Sequence, residues 1–350
     1  MTICYASLGT SNARDQATIR ALRATGTEVT VLIENTRSWI KFGKLAQKYF
    51  ALKEQPDLLI VGYASAIFVP LLRLISRKRI IYNALAPLYD GMVTSRGNNQ
   101  KISLTAIKYW LIDWLAFHTA HHVLVESELQ KKFVTKTFLL APNRVSVTYT
   151  SVNQNDFFFD SQIKKLVNFT VVFRGNFLPE AGAEVVVKAA KILEKYGIKF
   201  RIIGRGLLEL EVQEIIKKLQ PENLELITEI LPFETLRQKM QECHLALGQM
   251  ANHPRLSRTI PNKAFEVLAM KLPYLTGRQP AILELLEENS TCFCNNPGDP
   301  ADLAQKILDL SKQPELLNII AERGFALYQQ TLTEKITGQR LLKITTVILT

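Results

Sequence analysis

Residues 169–204 read FTVVFRGNFLPEAGAEVVVKAAKILEKYGIKFRIIG, and this stretch decides the fold. Phe169–Arg174 is a short, β-branched apolar run, Ala183–Lys195 has helical length and spacing, and Phe200–Gly204 is a second apolar run. Short runs rich in β-branched residues read as strands, and a strand followed by a helix and another strand reads as one unit of a parallel sheet. Such strands are buried on both faces, so they are continuously apolar rather than alternating.

The same alternation continues toward the C-terminus. Helices are expected over Leu208–Leu219, Phe233–Cys243, Pro261–Met270, Pro280–Asn289, Pro300–Lys312 and Glu315–Leu327, with strands at Leu224–Ile227, Leu245–Gln249 and Tyr274–Thr276. Toward the N-terminus a second set appears. Strands are expected at Ile3–Ala6, Val29–Ile33, Leu58–Val61, Arg79–Asn83, His122–Glu126 and Val145–Tyr149. The helices between them cover Asn12–Thr25, Trp39–Leu52, Ala66–Ser76, Ser103–Ala120 and Ser127–Thr137. Polar residues and the cluster Phe157-Phe158-Phe159 interrupt the pattern over 151–168, which reads as a linker. The expected architecture is α/β: two doubly wound, Rossmann-like parallel-sheet domains facing a cleft, with ligands beyond the carboxyl ends of the strands. The expected domains are 1–160 and 168–330. A C-terminal helix over 331–350 is expected to pack back toward the first domain.

Composition narrows the class. Hydrophobic residues make up 47% of the 350 and charged residues 21%, a globular rather than a disordered profile. The N-terminus has the character of a first strand and lacks the features of a signal peptide, and no apolar stretch is long enough to span a bilayer, so a cytoplasmic protein is expected. The four cysteines lack metal or redox spacing and read as buried thiols. The net charge of +11 is unevenly spread. Residues 1–165 hold 21 Lys/Arg against 11 Asp/Glu, a balance of +10, and the remainder holds 22 against 21, a balance of +1. A basic first half points to an anionic acceptor or to peripheral contact with the inner face of a membrane, ahead of a merely solvated basic surface. Nucleic acid is not expected, because no nucleic-acid motif accompanies the charge.

The segment with most chemistry runs from Arg258 to Met270. Pro261 suits a first helical position, whose N–H would be unpaired anyway. Free N–H groups and the positive dipole end there favour a phosphate, and Lys263 adds a cation in that first turn. Glu266 shares a face with Asn262 and Lys263, one turn below, where a carboxylate can accept both hydroxyls of a ribose. The alternative is an ordinary Lys–Glu surface pair, and the segment alone leaves both open.

The order of blocks in the second half resembles the retaining GT-B glycosyltransferases of the large family 4, the glycosyl transferases group 1. Val172–Gly182, Phe200–Gly206, Leu231–Leu247, Ile260–Pro273 and Pro297–Ala304 correspond in sequence. The first half is similar to a narrower subgroup through Leu88–Val93, Asp113–Phe117 and Val123–Ser127. The resemblance implies a nucleoside-diphosphate sugar donor as substrate, retention of anomeric configuration, no metal and no resident cofactor. It implies a donor site from Gly175, Asn176, Gly204, Arg258, Asn262, Lys263 and Glu266, with Arg258 and Lys263 easing departure of the diphosphate. Two departures stand out. The family's first glutamate is replaced by Arg258, and the loop after Gly175 carries Asn176 and Ala181 where an arginine and a lysine or histidine are usual. Arg174, Arg255, Arg258 or Lys263 are the cations available to compensate.

On the acceptor side the candidates are Gly9, Thr10 and Arg14, between a first strand and helix, and Asp90 and Arg96, in a long polar loop. Asp90 is also the candidate catalytic carboxylate. For Arg14 a surface position beside a helix cap is an equal alternative. In Ser103–Ala120 most of the apolar stripe reads as core, with a membrane-facing edge of Lys101, Lys108 and tryptophan as the alternative. The acceptor is expected to be a glycan or lipid-linked precursor of a surface polysaccharide. Two rivals stay open. One is a non-catalytic descendant acting in binding or assembly. The other is a nucleotide-sugar epimerase using Asp90 or Glu126.

Overall fold

A computed structural model describes residues 1–9, 12–36, 38–95 and 103–349. Its elements are, in order, β1 (Thr2–Leu8), α1 (Ala13–Arg23), β2 (Glu28–Glu34), α2 (Ile40–Phe50), β3 (Leu58–Val61), α3 (Phe68–Ile75), β4 (Arg79–Leu85), α4 (Leu104–Thr119), β5 (His122–Val125), α5 (Glu128–Thr137) and β6 (Val145–Val147). There follow β7 (Thr170–Arg174), α6 (Ala183–Leu193), β8 (Lys199–Ile203), α7 (Glu209–Leu219), β9 (Leu224–Ile227), α8 (Phe233–Gln241) and β10 (Leu245–Leu247). Then come α9 (Asn262–Ala269), β11 (Tyr274–Gly277), β12 (Phe293–Asn295), α10 (Pro300–Ser311), α11 (Pro314–Thr331) and α12 (Glu334–Leu349).

The chain forms two compact units, one of Met1–Ser151 with Leu332–Thr350 and one of Val152–Thr331. Each contains a six-stranded sheet, ordered β2-β1-β3-β4-β5-β6 in the first and β12-β11-β10-β7-β8-β9 in the second. The pairings are parallel throughout. The strand order reverses beside β1 in one unit and beside β7 in the other, and these reversals open the crevices where doubly wound sheets bind ligands.

Burial explains the strands. Leu58–Val61 is inaccessible at every position, as expected for a central parallel strand covered by helices on both faces. In the second unit Phe173, Leu247, Leu275 and Phe293 lie in the same core as Val186, Ala190 and Ile307. Helix α12 packs on α1 in the first unit, and Arg20 pairs with Glu334 at 2.6 Å. At their crossing a side chain on Gly338 would strike the carbonyl of Ala21.

Several expectations differ from the structure. The stretch read as a linker belongs to the second unit from Val152 onward. Phe157 is buried, Asp160 donates its backbone N–H to Gln241 at 2.9 Å, and Lys165 Nζ donates to the carbonyls of Gln241 and Cys243. The helix expected over Pro280–Asn289 is only a single 3₁₀ turn at Ile282–Glu284. The carbonyl of Glu287 instead accepts the N–H groups of Ser290 and Thr291, and Asn289 turns left-handed at φ 60°, which feeds the chain into β12, a strand the apolar pattern did not separate from its loop. Asp90 lies not in an open polar loop but at the head of a π-helical turn, Asp90–Ser95, where it is fully buried. Trp110 turns inward, stacking on Phe138 and donating Nε1 to the Thr137 carbonyl, so it is not part of an exposed edge. Lys101, with Thr10 and Arg96, lies outside the described residues. Among the described residues no helix is long and apolar enough to cross a membrane, and no cluster of His, Cys, Asp and Glu could hold a metal ion.

Candidate functional site

The second unit brings four stretches together at its strand reversal. β7 ends at Arg174 and is followed by Gly175, β8 ends at Ile203 and is followed by Gly204, and β10 leads through Gly248 and Met250 to the 3₁₀ turn Pro254–Ser257. Helix α9 follows and is buried from Lys263 to Ala269. Its composition favours the helix, with Ala, Leu and Glu among its residues. It stops at Met270, beyond which Lys271 is left-handed at φ 55° and Pro273 ends any continuation. Pro261 is the cap residue, extended at ψ 138°, and not the first helical residue as expected.

Lys263 sits in the first turn of α9 and is only 6% exposed. Its Nζ lies 4.0 Å from the centre of the Phe173 ring and has no hydrogen-bond acceptor among the described residues. A Cβ at Gly175 would come within 2.9 Å of that Nζ, and Gly175 has a φ of 154°, so glycine there is what lets the ammonium reach the loop after β7. Burial pushes Lys263 down to about 7, with the neighbouring Arg174 adding to the effect and Glu266 opposing it. A cation held against a strand end, next to helix N–H groups and lacking an acceptor, suits an anionic ligand that would restore its full charge.

Glu266 is 7% exposed and does not stand open to solvent as its expected role would suggest. Arg174 Nη1 donates to both of its oxygens, at 2.7 and 2.5 Å. Burial pushes the carboxyl up, and the Arg174 guanidinium beside it partly opposes that. Sequence reasoning named Arg174 only as a spare cation. The signal that it faces Glu266 is its place as the last residue of the strand, next to the glycine that Lys263 abuts.

The remaining donor candidates are spread along the same edge. Asn176 is exposed, and its carbonyl accepts the N–H of Leu178 at 3.0 Å. Ala181 is buried, and its carbonyl accepts the Met250 N–H at 3.0 Å, so no side chain from that position reaches solvent. Gly204 is a packing position: a side chain there would strike the Gly175 carbonyl and the Phe177 ring. Asn262 is half-buried at the head of α9. Arg258, also half-buried, follows the 3₁₀ turn and donates its backbone N–H to Arg255. Glu180 and Arg255 form a buried ion pair that joins the loop after β7 to the segment after β10, a contact not anticipated from sequence.

The first unit carries its own polar centre at the β1 reversal. Asp15 of α1 accepts from Tyr5 Oη at 2.7 Å, Ser7 Oγ at 2.8 Å, the Tyr63 N–H at 2.8 Å and Asn12 Nδ2 at 3.1 Å. Arg14 is buried, not a surface residue: Nε donates to Asn83 at 3.1 Å and Nη1 to Thr150 at 2.9 Å. Gly9 is left-handed at φ 95° and donates its N–H to the Glu34 carbonyl. Asp113 receives the N–H groups of Leu88 and Tyr89 at 3.0 and 2.7 Å, fixing the approach to Asp90, and burial pushes it up to about 7.

The family profile described as glycosyl transferases group 1 matches residues 168–313. The greater part of the second unit is thus similar to the glycosyl transferases group 1, and the fold is GT-B. An uncharacterized glycosyltransferase of Methanocaldococcus jannaschii is 25% identical over 182 residues, 52% of this chain and 48% of the relative. The alignment thus spans about half the length of that curated relative. Among solved structures, Anabaena HepE in complex with UDP superposes with a TM-score of 0.75 at 16% identity, covering 99% of this chain and 100% of that one. Sucrose-phosphate synthase from Thermosynechococcus elongatus gives 0.81 at 12% identity, with 99% of both chains covered. Likenesses at such identity extend the GT-B fold to the whole chain. The group 1 assignment rests on the matched residues of the second unit.

Proposed function

We propose that the chain is a glycosyltransferase whose second unit holds a nucleoside-diphosphate sugar, and that it transfers the sugar to a hydroxyl acceptor. The observation that carries this reading is the Lys263 ammonium, buried at the strand reversal without a hydrogen-bond acceptor and abutting a glycine that a side chain would displace. A diphosphate at the head of α9 supplies the missing acceptor, and Glu266 one turn below takes the ribose hydroxyls once Arg174 releases it. The group 1 profile supports the reading, as do the UDP and UDP-glucose named with HepE.

The residues have distinct tasks in the transfer. The acceptor hydroxyl oxygen bonds to the anomeric carbon as the bond to the phosphate oxygen breaks; the diphosphate departs with the electron pair and takes up the hydroxyl proton. Lys263, the α9 N–H groups and Arg258 stabilise that developing charge. Arg174, freed from Glu266, is the further cation that offsets the lack of one at Asn176 and Ala181. Transfer is with retention, without a metal, and to a lipid-linked or cell-surface polysaccharide precursor, a reading that rests on the family resemblance and on the basic first half of the chain. One observation favours the rival, a nucleotide-binding protein without transfer: the loop 175–182 carries Glu180 and no cation.

Calorimetric titration of wild type and Glu266→Ala with UDP, GDP and ADP and their sugars tests the reading. Binding of one series by wild type, weakened tenfold or more in the variant, is expected. No binding at millimolar nucleotide would overturn it. Binding without turnover of any sugar donor, with water or glycan acceptors, would favour the rival.

A further inference from the structure

Helix α4 of the first unit has two unlike faces. Ala106, Asp113, Ala116 and Phe117 are buried. On the opposite side Leu104, Ile107, Leu111 and Leu115 recur every three or four residues and are 88%, 50%, 51% and 45% exposed. With Ile67 and the 79% exposed Trp39 they line an apolar trough of about 500 Å³, in which Lys108 is the only charged lining residue among the described residues. Single exposed apolar side chains are ordinary, but a contiguous strip of this kind marks a surface that is covered in use.

The same stripe of α4 continues one turn further, to His118 and Thr119, and opens into a second cavity of about 960 Å³. Arg73, Arg79, Arg144 and Lys343 line it, and no Asp or Glu does. Arg144 is anchored by donating Nη2 to carbonyls at the end of α4, which fixes its position in the wall. His121 accepts the Ile80 N–H at 2.9 Å, and burial together with Arg73, Arg79 and Arg144 pushes it down to about 4. The cavity therefore concentrates positive charge without an internal counter-charge. It also receives Ile344, Val347 and Ile348 from α12.

An apolar strip running into an acid-free basic cavity is complementary to an amphiphile that joins hydrocarbon to phosphate. A nucleic acid would meet the cations and leave the strip exposed. We propose that the first unit docks on an anionic phospholipid surface through this face, the α4 strip and Trp39 entering the acyl boundary and a lipid phosphate occupying the cavity of Arg73, Arg79, Arg144 and Lys343. The proposal rests on the first unit alone and is independent of the donor reading.

Vesicle co-sedimentation of the full chain tests it. Wild type is expected to bind phosphatidylglycerol-containing vesicles at least roughly tenfold better than phosphatidylcholine alone, less so as salt rises. Arg73→Gln/Arg79→Gln removes two surface cations and is expected to weaken binding roughly thirtyfold. Leu111→Glu is expected to abolish it. Lys217→Gln/Lys218→Gln, an equal charge change on the second unit, is expected to bind as wild type. Nucleotide binding measured on the same samples reports that each variant is folded and keeps the two readings apart, with circular dichroism melting serving if no nucleotide binds. Equal binding to both vesicle types, no binding to either, or a Gln pair indistinguishable from the Lys217/Lys218 control would overturn the proposal. So would a wild-type dimer that Leu111→Glu dissociates, which would assign the strip to a second copy. Saturation by millimolar inorganic phosphate without vesicle binding would also overturn it, leaving the cavity as a site for free anions.

Discussion

The two units place buried charge at equivalent points of equivalent sheets and treat it in opposite ways. At the β1 reversal the Asp15 carboxylate collects four donors, and Gly62 leaves room for it, since a Cβ there would come within 2.5 Å of Oδ2. At the β7 reversal the Lys263 ammonium has only an aromatic face and a carboxylate already taken by Arg174. Desolvating a charge is costly unless hydrogen bonds replace the lost water. A site compensated from within serves the fold, and one left uncompensated is completed by something that binds.

The contrast breaks if substitutions at the two centres have the same effect. Asp15→Ala removes the carboxylate that accepts from the Tyr5 and Ser7 hydroxyls and is expected to cost about 3 kcal/mol of unfolding free energy in urea melts, with nucleotide affinity unchanged in the folded protein. If Asp15→Ala instead lowered affinity and left stability intact, the first centre would be a binding site as well. Lys263→Met is expected to do the reverse. It should lower nucleotide affinity roughly tenfold to a hundredfold by calorimetry, while the empty protein melts no lower than wild type, because a buried cation lacking an acceptor has been removed.

A smaller effect follows from protonation. With Lys263 lowered to about 7 in the empty protein, an anion binds best to its charged form. Affinity should therefore fall with rising pH above about 7, by at most tenfold per unit. It should be flatter in Lys263→Met, and proton uptake should be visible as a buffer-dependent binding enthalpy. The same shift has a stability sign. Between about 7 and the ordinary lysine value the unfolded chain binds the extra proton, so this residue's contribution to stability rises with pH across that window. A Lys263→Met advantage in melting temperature that grew on going from pH 6 to pH 9 would sink this account.

How legible all this was depended on the range of the contacts. The alternation of apolar runs and helical spacings gave both sheets, because parallel strands are written locally as continuous apolar segments. The stretch from Pro261 to Glu266 was legible for the same reason, since one helix turn fixes its face. What failed was set by partners far along the chain. Arg174 lies ninety-two positions from Glu266, and nothing near either residue announces their pairing. Asp90 looked like a loop carboxylate because Gly91, Thr94 and Ser95 are polar or small, whereas Asp113 ties down the backbone just before it and the turn folds inward. Arg14 was ambiguous until Asn83 and Thr150, brought beside it by the sheet, gave it acceptors. The expected helix at Pro280 failed because apolar spacing over ten residues does not register a backbone that bends back at Glu287 to start another strand.

Helix α12 sets the order in which the molecule can be finished during synthesis. Its seat on α1 belongs to the first unit, yet all of Val152–Thr331 is translated before it. The part of α1 around Arg20 and Ala21, where Glu334 and Gly338 sit, must therefore wait on the ribosome, uncovered, while the second unit emerges and becomes able to fold. The unit that starts first closes last, and that interval is when a chaperone would have most to shield.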